Sequence, residues 1–274
     1  MKPRLVLTAD IGNTTTGFGL FQDEKLVWRD HLPTDARRSA AATADWLRAG
    51  LAGRSCDPAA TEFGRPALAS VVPAATAAVQ TALAGIAGKD PILADWRSVG
   101  LDMAVEQPET VGADRLVCAL AAYESYAGPL AVIDLGTATT LSVVDARGCF
   151  IGGMISPGLQ TAACALHHLA AQLPLIGWTA AQLPPLELSA PPPDVPLIGT
   201  STAACMKSGI IRGTAAMIDG LTDQIEAQMA ARLNRIITGG LAGLVLPFCR
   251  SYLHHEPDLL LKGLLILSLR GVTS

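Results

Sequence analysis

The sequence predicts an α/β chain made of one unit used twice, and two observations carry that expectation. An apolar run, Leu5-Val6-Leu7, leads to Asp10-Ile11-Gly12 and then to four small polar residues, Asn13-Thr14-Thr15-Thr16. The same order returns where Leu130-Ala131-Val132-Ile133 leads to Asp134-Leu135-Gly136-Thr137-Ala138-Thr139-Thr140. One such stretch is most often an ordinary strand-to-turn junction. Two in matching contexts predict a duplicated domain that grips a nucleotide between its halves.

The first copy reads as a buried strand ending in a tight turn that opens onto a phosphate. Gly12 lets the backbone approach closely, and the amides and hydroxyls of Asn13 to Thr16 are donors for phosphate oxygens. Asp10 suits the metal counter-ion that a nucleoside triphosphate brings with it. Gly17-Phe18-Gly19-Leu20-Phe21 and Leu26-Val27-Trp28 follow as a hairpin turning at Asp23-Glu24. In the second copy, Leu141-Ser142-Val143-Val144 and Cys149-Phe150-Ile151 form the hairpin, with the turn at Asp145 to Gly148.

Composition narrows the function classes. Of 274 residues 50% are hydrophobic and 4% aromatic, with a mean hydropathy of +0.37, so the chain is Ala/Leu-rich and able to bury a core. A net charge of −4 and a pI near 5.7 leave no electrostatic footprint for nucleic acid. Met1-Lys2-Pro3-Arg4 is followed by too few apolar residues for a signal peptide. The stretch Leu259 to Leu269 contains Lys262 and is too short to span a bilayer. Cys56, Cys118, Cys149, Cys164, Cys205 and Cys249 show no CxxC spacing and read as buried, reduced thiols of a cytosolic protein.

Taken in order, Thr34 to Gly53 predicts a helix capped by Thr34-Asp35, with Ala40, Ala44, Leu47 and Leu51 at helical spacing. Pro66 to Val72 predicts a strand that stops at Pro73, where the Ser70-Val71-Val72-Pro73 turn is a second strand end able to face the cleft. A helix spans Ala74 to Ala87, ended by Gly88, and Ile92-Leu93 is a short strand; Val99 to Val105 fits no single class. Gly112-Ala113-Asp114-Arg115 opens a helix running to about Tyr126. An acid there stabilises the positive end of the helix dipole in any protein. The alternative is a catalytic pair, in which the carboxylate accepts a hydroxyl proton and the guanidinium grips a substrate carboxylate.

Gly152-Gly153-Met154-Ile155-Ser156-Pro157-Gly158 is a glycine-rich strand end before a helix from Leu159 to Ala171. His167 and His168 on that helix diverge by about 100° and are unsuited to sharing a metal. Residues 170–174 and 180–184 both read Ala-Ala-Gln-Leu-Pro, and with the proline-rich stretch to Pro196 they predict a lengthened loop. Thr202 to Leu233 predicts a long helix capped by Ser201 or Thr202. Its Ser208-Gly209 and Gly213 permit close packing, in the core or across a dimer. Asn234 to Ile237 is a strand feeding the Gly239-Gly240 turn, and Leu259 begins the last helix.

Together these motifs resemble the type III pantothenate kinase family. Asp-x-Gly-Asn-Thr, Gly-Ala-Asp-Arg, Asp-x-Gly-Thr-Ala-Thr-Thr, Gly-Gly-x-x-x-Pro-Gly, Ile-Gly-x-x-Thr (198–202), Thr-Gly-Gly-Leu-Ala (238–242) and Leu-Lys-Gly (261–263) stand in that family's order, from residue 10 to residue 263. The resemblance implies two ribonuclease-H-like domains in an actin-like ATPase duplication, here residues 1–128 and 129–274. It implies ATP-dependent phosphorylation of pantothenate, the first step toward coenzyme A, by a cytoplasmic homodimer that uses Mg²⁺ and a monovalent cation, K⁺ or NH₄⁺. Nucleic acid and membrane are not among the implied partners.

Site roles follow the matched positions. The resemblance implies that Asp10, Ile11, Gly12, Asn13, Thr14, Thr15, Thr16 and Gly17 form the ATP phosphate loop, with Asp10 near the metal and Thr137 a further ATP contact. Gly112, Ala113, Asp114 and Arg115 would contact pantothenate, with Asp114 the general base. Asp134 would hold the monovalent cation, and Thr202 would contact substrate at the dimer interface. The chain departs from the family in three places. Val105, a substrate-binding position of the implied pantothenate pocket, replaces a tyrosine seven residues before Gly112 and so loses a ring and a hydroxyl there. Gln172 or Gln182 replaces a lysine. The segment from Pro174 to Ile198 is about ten residues longer. The alternatives are a kinase of the same fold acting on another small hydroxylated acid, or a catalytically silent nucleotide-binding regulatory homologue.

Overall fold

A computed structural model describes residues 4–52, 62–178 and 194–270. In chain order these form β1 (Leu5–Ile11), β2 (Thr15–Gln22), β3 (Lys25–Pro33), α1 (Ala40–Leu51), β4 (Ala67–Ser70), α2 (Pro73–Ala87), β5 (Ile92–Leu93), β6 (Asp102–Met103), α3 (Ala113–Tyr126), β7 (Leu130–Leu135), β8 (Ala138–Val144), β9 (Cys149–Pro157), α4 (Leu159–Leu169), α5 (Thr202–Met229), β10 (Asn234–Thr238), α6 (Ala242–Val245), β11 (His254–His255) and α7 (Leu259–Arg270). They divide into two compact units, Met1–Glu124 with Asp258–Ser274, and Ser125–Pro257.

The first unit is a sheet in the order β3-β2-β1-β4-β5. The first three strands form an antiparallel meander, and β4 and β5 run parallel to β1. Asp23 and Glu24 both adopt positive φ (47° and 71°), the mirror-image turn whose twist matches its flanking strands. As a central strand covered on both faces, β1 is buried almost throughout, which explains its near-continuous apolar sequence. Leu5, Leu7 and Ile11 pack with Leu47 and Leu51 of α1 and Val79 and Leu83 of α2. Val6, on the opposite face, packs with Phe21 and with Leu265 of α7.

The second unit repeats this plan. Its strands run β9-β8-β7-β10-β11, with β7, β8 and β9 antiparallel and β10 and β11 parallel to β7. Ile133, Leu135, Leu141 and Val143 pack against Leu159 of α4 and Ile211 and Ile218 of α5. The same strand order and directions in both units are the duplication that the two Asp-x-Gly stretches predicted, in the ribonuclease-H-like form that the family resemblance implied.

Several boundaries differ from expectation. Helix α1 begins at Ala40, because Ser39 is its cap: the Ser39 hydroxyl accepts the Ala42 N–H at 3.1 Å. Asp35 instead closes a local turn, accepting the Arg37 N–H on its carboxylate and the Arg38 N–H on its carbonyl. β9 runs unbroken through its glycines to Pro157, and α5 stops at Met229 with Ala230 left-handed at φ 49°. Residues 258–274 were expected with the second half but group with the first unit. There Ser268 donates to the Arg65 carbonyl at 2.5 Å, and Arg270 reaches the Val99 carbonyl and Glu124. A Cβ at Gly209 or Gly213 would meet nothing within 4 Å, so these glycines make no close helix contact among the described residues. Gly53, Cys56 and the second Ala-Ala-Gln-Leu-Pro, with Gln182, lie outside the described residues.

Candidate active site

In the first unit, three of the expected segments gather at the carboxyl ends of β1 and β4. These strands lie side by side in parallel, with Asp10 opposite Ala69 and Ile11 opposite Ser70. The crevice outside such strand ends is where open α/β sheets take ligands. Between β1 and β2 the chain turns within three residues, closed by Gly12 N–H to the Thr15 carbonyl at 3.0 Å. A Cβ on Gly12 would sit 3.1 Å from that same carbonyl, so the glycine keeps the turn tight. Asn13, Thr14 and Thr15 are exposed at its tip and Asp10 is half-buried at its base.

Two side chains of this loop are held in the fold. The Ile11 side chain is fully buried in the core, leaving only its backbone to the site. Thr16 is also buried, and its hydroxyl lies 3.0 Å from that of Thr34.

The turn after β4 joins the loop through Val71 N–H, which donates to the Ile11 carbonyl at 3.0 Å. Ser70 stiffens that turn, accepting the Val72 N–H at 3.1 Å and lying 2.8 Å from the Thr76 hydroxyl. Gly112 comes next: a Cβ there would lie 3.8 Å from Val71 Cγ1 and would collide with Asp114 Oδ1. The glycine thus makes room for the Asp114 carboxylate at the start of α3. Asp114 Oδ1 accepts the Arg115 N–H at 2.8 Å, and both side chains are half-buried. Burial lowers the Arg115 guanidinium below its ordinary value, opposed by the charge of Asp114. Ala113 is buried, and Val105 is half-buried just beyond β6.

The second unit builds an equivalent strand end. Asp134 lies opposite Thr238 where β7 and β10 run in parallel, and Gly136 N–H closes its loop on the Ala138 carbonyl at 3.1 Å. Gly239 follows β10 at φ 93°, and a Cβ there would come within 2.5 Å of both Asp134 Oδ1 and Leu135 N. Thr137 is exposed, and its carbonyl accepts from Gly158 N–H at 3.2 Å and from the Thr161 hydroxyl at 2.7 Å. Gly158 is obligatory, since a Cβ would run into the Gly136 and Thr137 carbonyls. Thr202 is exposed at the first position of α5.

Among the described residues no group of three or more His, Cys, Asp and Glu is arranged to hold a metal. Each loop instead offers one carboxylate, Asp10 or Asp134. That donor set fits a hard cation such as Mg²⁺, which takes one or two carboxylates and completes its shell with phosphate and water. Having no side chain, Gly239 lets the turn after β10 pack directly against Asp134 Oδ1 and Leu135 N. His167 and His168 stand apart from this chemistry. Their rings lie 5.3 Å apart, and His167 Nδ1 is 2.8 Å from the Leu173 carbonyl, closing the end of α4.

The sequence assigns no role to Thr161 and marks Thr34 as a helix cap rather than as part of this architecture, whereas Ser70, Val71 and Gly158 lie in stretches that it singles out. For Thr34 a signal was present: Pro-Thr-Asp is turn chemistry as much as helix-cap chemistry.

A family model described as type III pantothenate kinase matches residues 6–224. A type III pantothenate kinase of Acidiphilium cryptum is 38% identical over 97% of this chain and 94% of its own length. One of Acidothermus cellulolyticus is 37% identical over 98% of this chain and 99% of its own. Among solved structures, a ROK family glucokinase of Streptomyces griseus matches with a TM-score of 0.53 over 97% of this chain and 100% of its own, at 14% identity. MreB 5 of Spiroplasma citri gives 0.53 over 98% and 97%, at 11% identity. Both share the fold of this chain.

Proposed function

The chain belongs to the type III pantothenate kinase family, and on that premise we propose that it transfers the γ-phosphoryl group of ATP to the hydroxyl of pantothenate, yielding 4′-phosphopantothenate at the head of coenzyme A synthesis. The observation that carries this reading is the meeting of the Asp10–Thr15 turn and the Gly112–Arg115 helix start at one sheet end, joined through Val71. A phosphate-type turn and an acid–base pair in one crevice are what phosphoryl transfer to an alcohol requires.

In this reading the amides and hydroxyls of Asn13, Thr14 and Thr15 orient the phosphates, and Thr137 is a second ATP contact. The pantothenate hydroxyl oxygen bonds to the γ-phosphorus as the bond from that phosphorus to the β,γ-bridging oxygen breaks. Asp114 takes the hydroxyl proton, ADP leaves with the bonding pair, and Arg115 holds the substrate carboxylate in a two-pronged grip. Mg²⁺ at Asp10 would neutralise phosphate charge, and K⁺ or NH₄⁺ would sit at Asp134. Positioning and charge neutralisation supply most of such a rate enhancement.

A homodimer that brings Thr202 to the substrate is also part of the proposal. Leu197 and Ile198, 72% and 81% exposed just before Thr202, support an interface there. No helix among the described residues is long and apolar enough to cross a membrane, in keeping with a cytoplasmic enzyme. Val105, where the family places a tyrosine, favours a second reading: the same transfer to a different small hydroxylated acid. Turnover of ATP with pantothenate, with its analogues and with no acceptor, varying magnesium and potassium independently, tests both. Folded protein that forms no phosphopantothenate under any cation condition overturns the first.

A further inference from the structure

Each loop is tied down from behind by a threonine that lies outside it. In the first unit the Thr34 hydroxyl donates to the Gly12 carbonyl at 2.7 Å, across 22 residues of sequence. The Thr34 N–H donates to the Thr14 carbonyl at 3.0 Å, so one residue holds both ends of the turn. With its proton committed to Gly12, Thr34 Oγ1 accepts from the Thr16 hydroxyl. In the second unit the Thr161 hydroxyl donates to the Thr137 carbonyl at 2.7 Å, across 24 residues. The two threonines stand in comparable places, though one bond ends on the glycine carbonyl of its Asp-x-Gly stretch and the other on the carbonyl one residue later. Thr34 directly follows β3 and Thr161 stands in the first turn after β9, each on the segment leaving the third strand of its meander.

We propose that Thr34 and Thr161 are positioning residues for the nucleotide loops. The inference rests on the assignment of those loops to ATP made above. A trans peptide holds its C=O and the following N–H in opposite directions. Fixing the Gly12 carbonyl therefore aims the Asn13 N–H, and fixing the Thr137 carbonyl sets the plane of the next peptide. Donors already aimed before the ligand arrives need no reorganisation when charge develops on it. A local turn bond would reach two to four residues along the chain, as the Asp35 and Asp145 side chains do. Each of these bonds instead joins separate elements and ends on a loop carbonyl.

The test replaces each threonine by valine, which keeps the shape and removes the hydroxyl, and by serine, which restores it. Thr34→Val and Thr161→Val should each raise KM for ATP and weaken direct ATP binding about fivefold or more, the scale of one lost hydrogen bond. KM for pantothenate should stay within about twofold of wild type on the same reasoning, and Thr34→Ser and Thr161→Ser should recover ATP affinity. Wild-type ATP affinity in both valine variants overturns the proposal. So does an equal rise in both KM values with a lowered Tm, which marks general loosening. Thr161 is exposed, so Thr161→Val alone decides the matter should Thr34→Val fail to fold. A wild-type protein that binds no ATP sinks the loop assignment and the proposal together, whereas one whose valine variants bind equally well sinks the proposal alone.

Discussion

Gly239 and Asp134 fit one another because Gly239 has no side chain: a Cβ there would stand 2.5 Å from Asp134 Oδ1. The backbone at Gly239 is also left-handed, at φ 93°. Gly239→Ala therefore meets both strain and collision, which together cost more than about 1 kcal/mol. The expected outcome is a lowered Tm together with weakened ATP binding, read by thermal melting and by titration with nucleotide. An alanine variant with wild-type melting and binding would show that the β10 turn relaxes freely.

Asp134→Asn keeps the size of the side chain and removes its charge. Stimulation by K⁺ or NH₄⁺ should disappear while the melting curve stays near wild type. Turnover measured against each cation checks this, and full cation activation in the variant would put the cation elsewhere.

Arg115 is half-buried beside Asp114, and burial lowers its pKa. Placing a substrate carboxylate against that guanidinium replaces lost hydration with a paired charge. Arg115→Ala should raise KM for pantothenate by about tenfold or more, the scale of a charged hydrogen bond, and leave KM for ATP nearly unchanged. A rise confined to ATP would reverse the assignment.

The Cys249 thiol is pushed up to about 12, by burial first and then by the charge of Asp219. Its proton is held more tightly in the folded chain than in the unfolded one. The associated stability is complete below the unfolded thiol value of about 8.5 and is lost as pH climbs from there through about 12. Cys249→Ala should flatten the fall of Tm with alkaline pH relative to wild type. Parallel Tm curves for the two proteins would contradict this. By the same chemistry the exposed Cys205 should react with an alkylating reagent before Cys249.

What the sequence made legible was local. Asp10-Ile11-Gly12 and Asp134-Leu135-Gly136 announce themselves because strand, carboxylate and glycine are contiguous, and the hairpins at Asp23 and Asp145 follow from turn chemistry. The repeat of these units was enough to foresee the duplicated sheet. Thr34 and Thr161 were not legible, since their partners lie 22 and 24 residues away and only the meander brings them together. The last helix was misplaced for a related reason. An apolar stripe such as Leu264-Leu265-Leu267 says that a helix is buried but not which sheet covers it, and here Leu265 packs with Val6 and Phe21. The sequence places the start of α1 at Thr34-Asp35, but Asp35 is used in its own local turn and the Ser39 hydroxyl takes the Ala42 N–H.

The most direct test of the whole account is kcat of Asp114→Asn, measured with ATP affinity and Tm on the same preparation. The change keeps shape and hydrogen bonding and removes the basic site, so a base in flight with the transferred phosphoryl group predicts a fall in kcat of about 10²-fold or more. ATP affinity, which depends on Asp10 and the 12–15 turn, should hardly move. A near-normal kcat with a lowered Tm would instead mark Asp114 as a carboxylate that merely stabilises the start of α3, and would remove it from the mechanism.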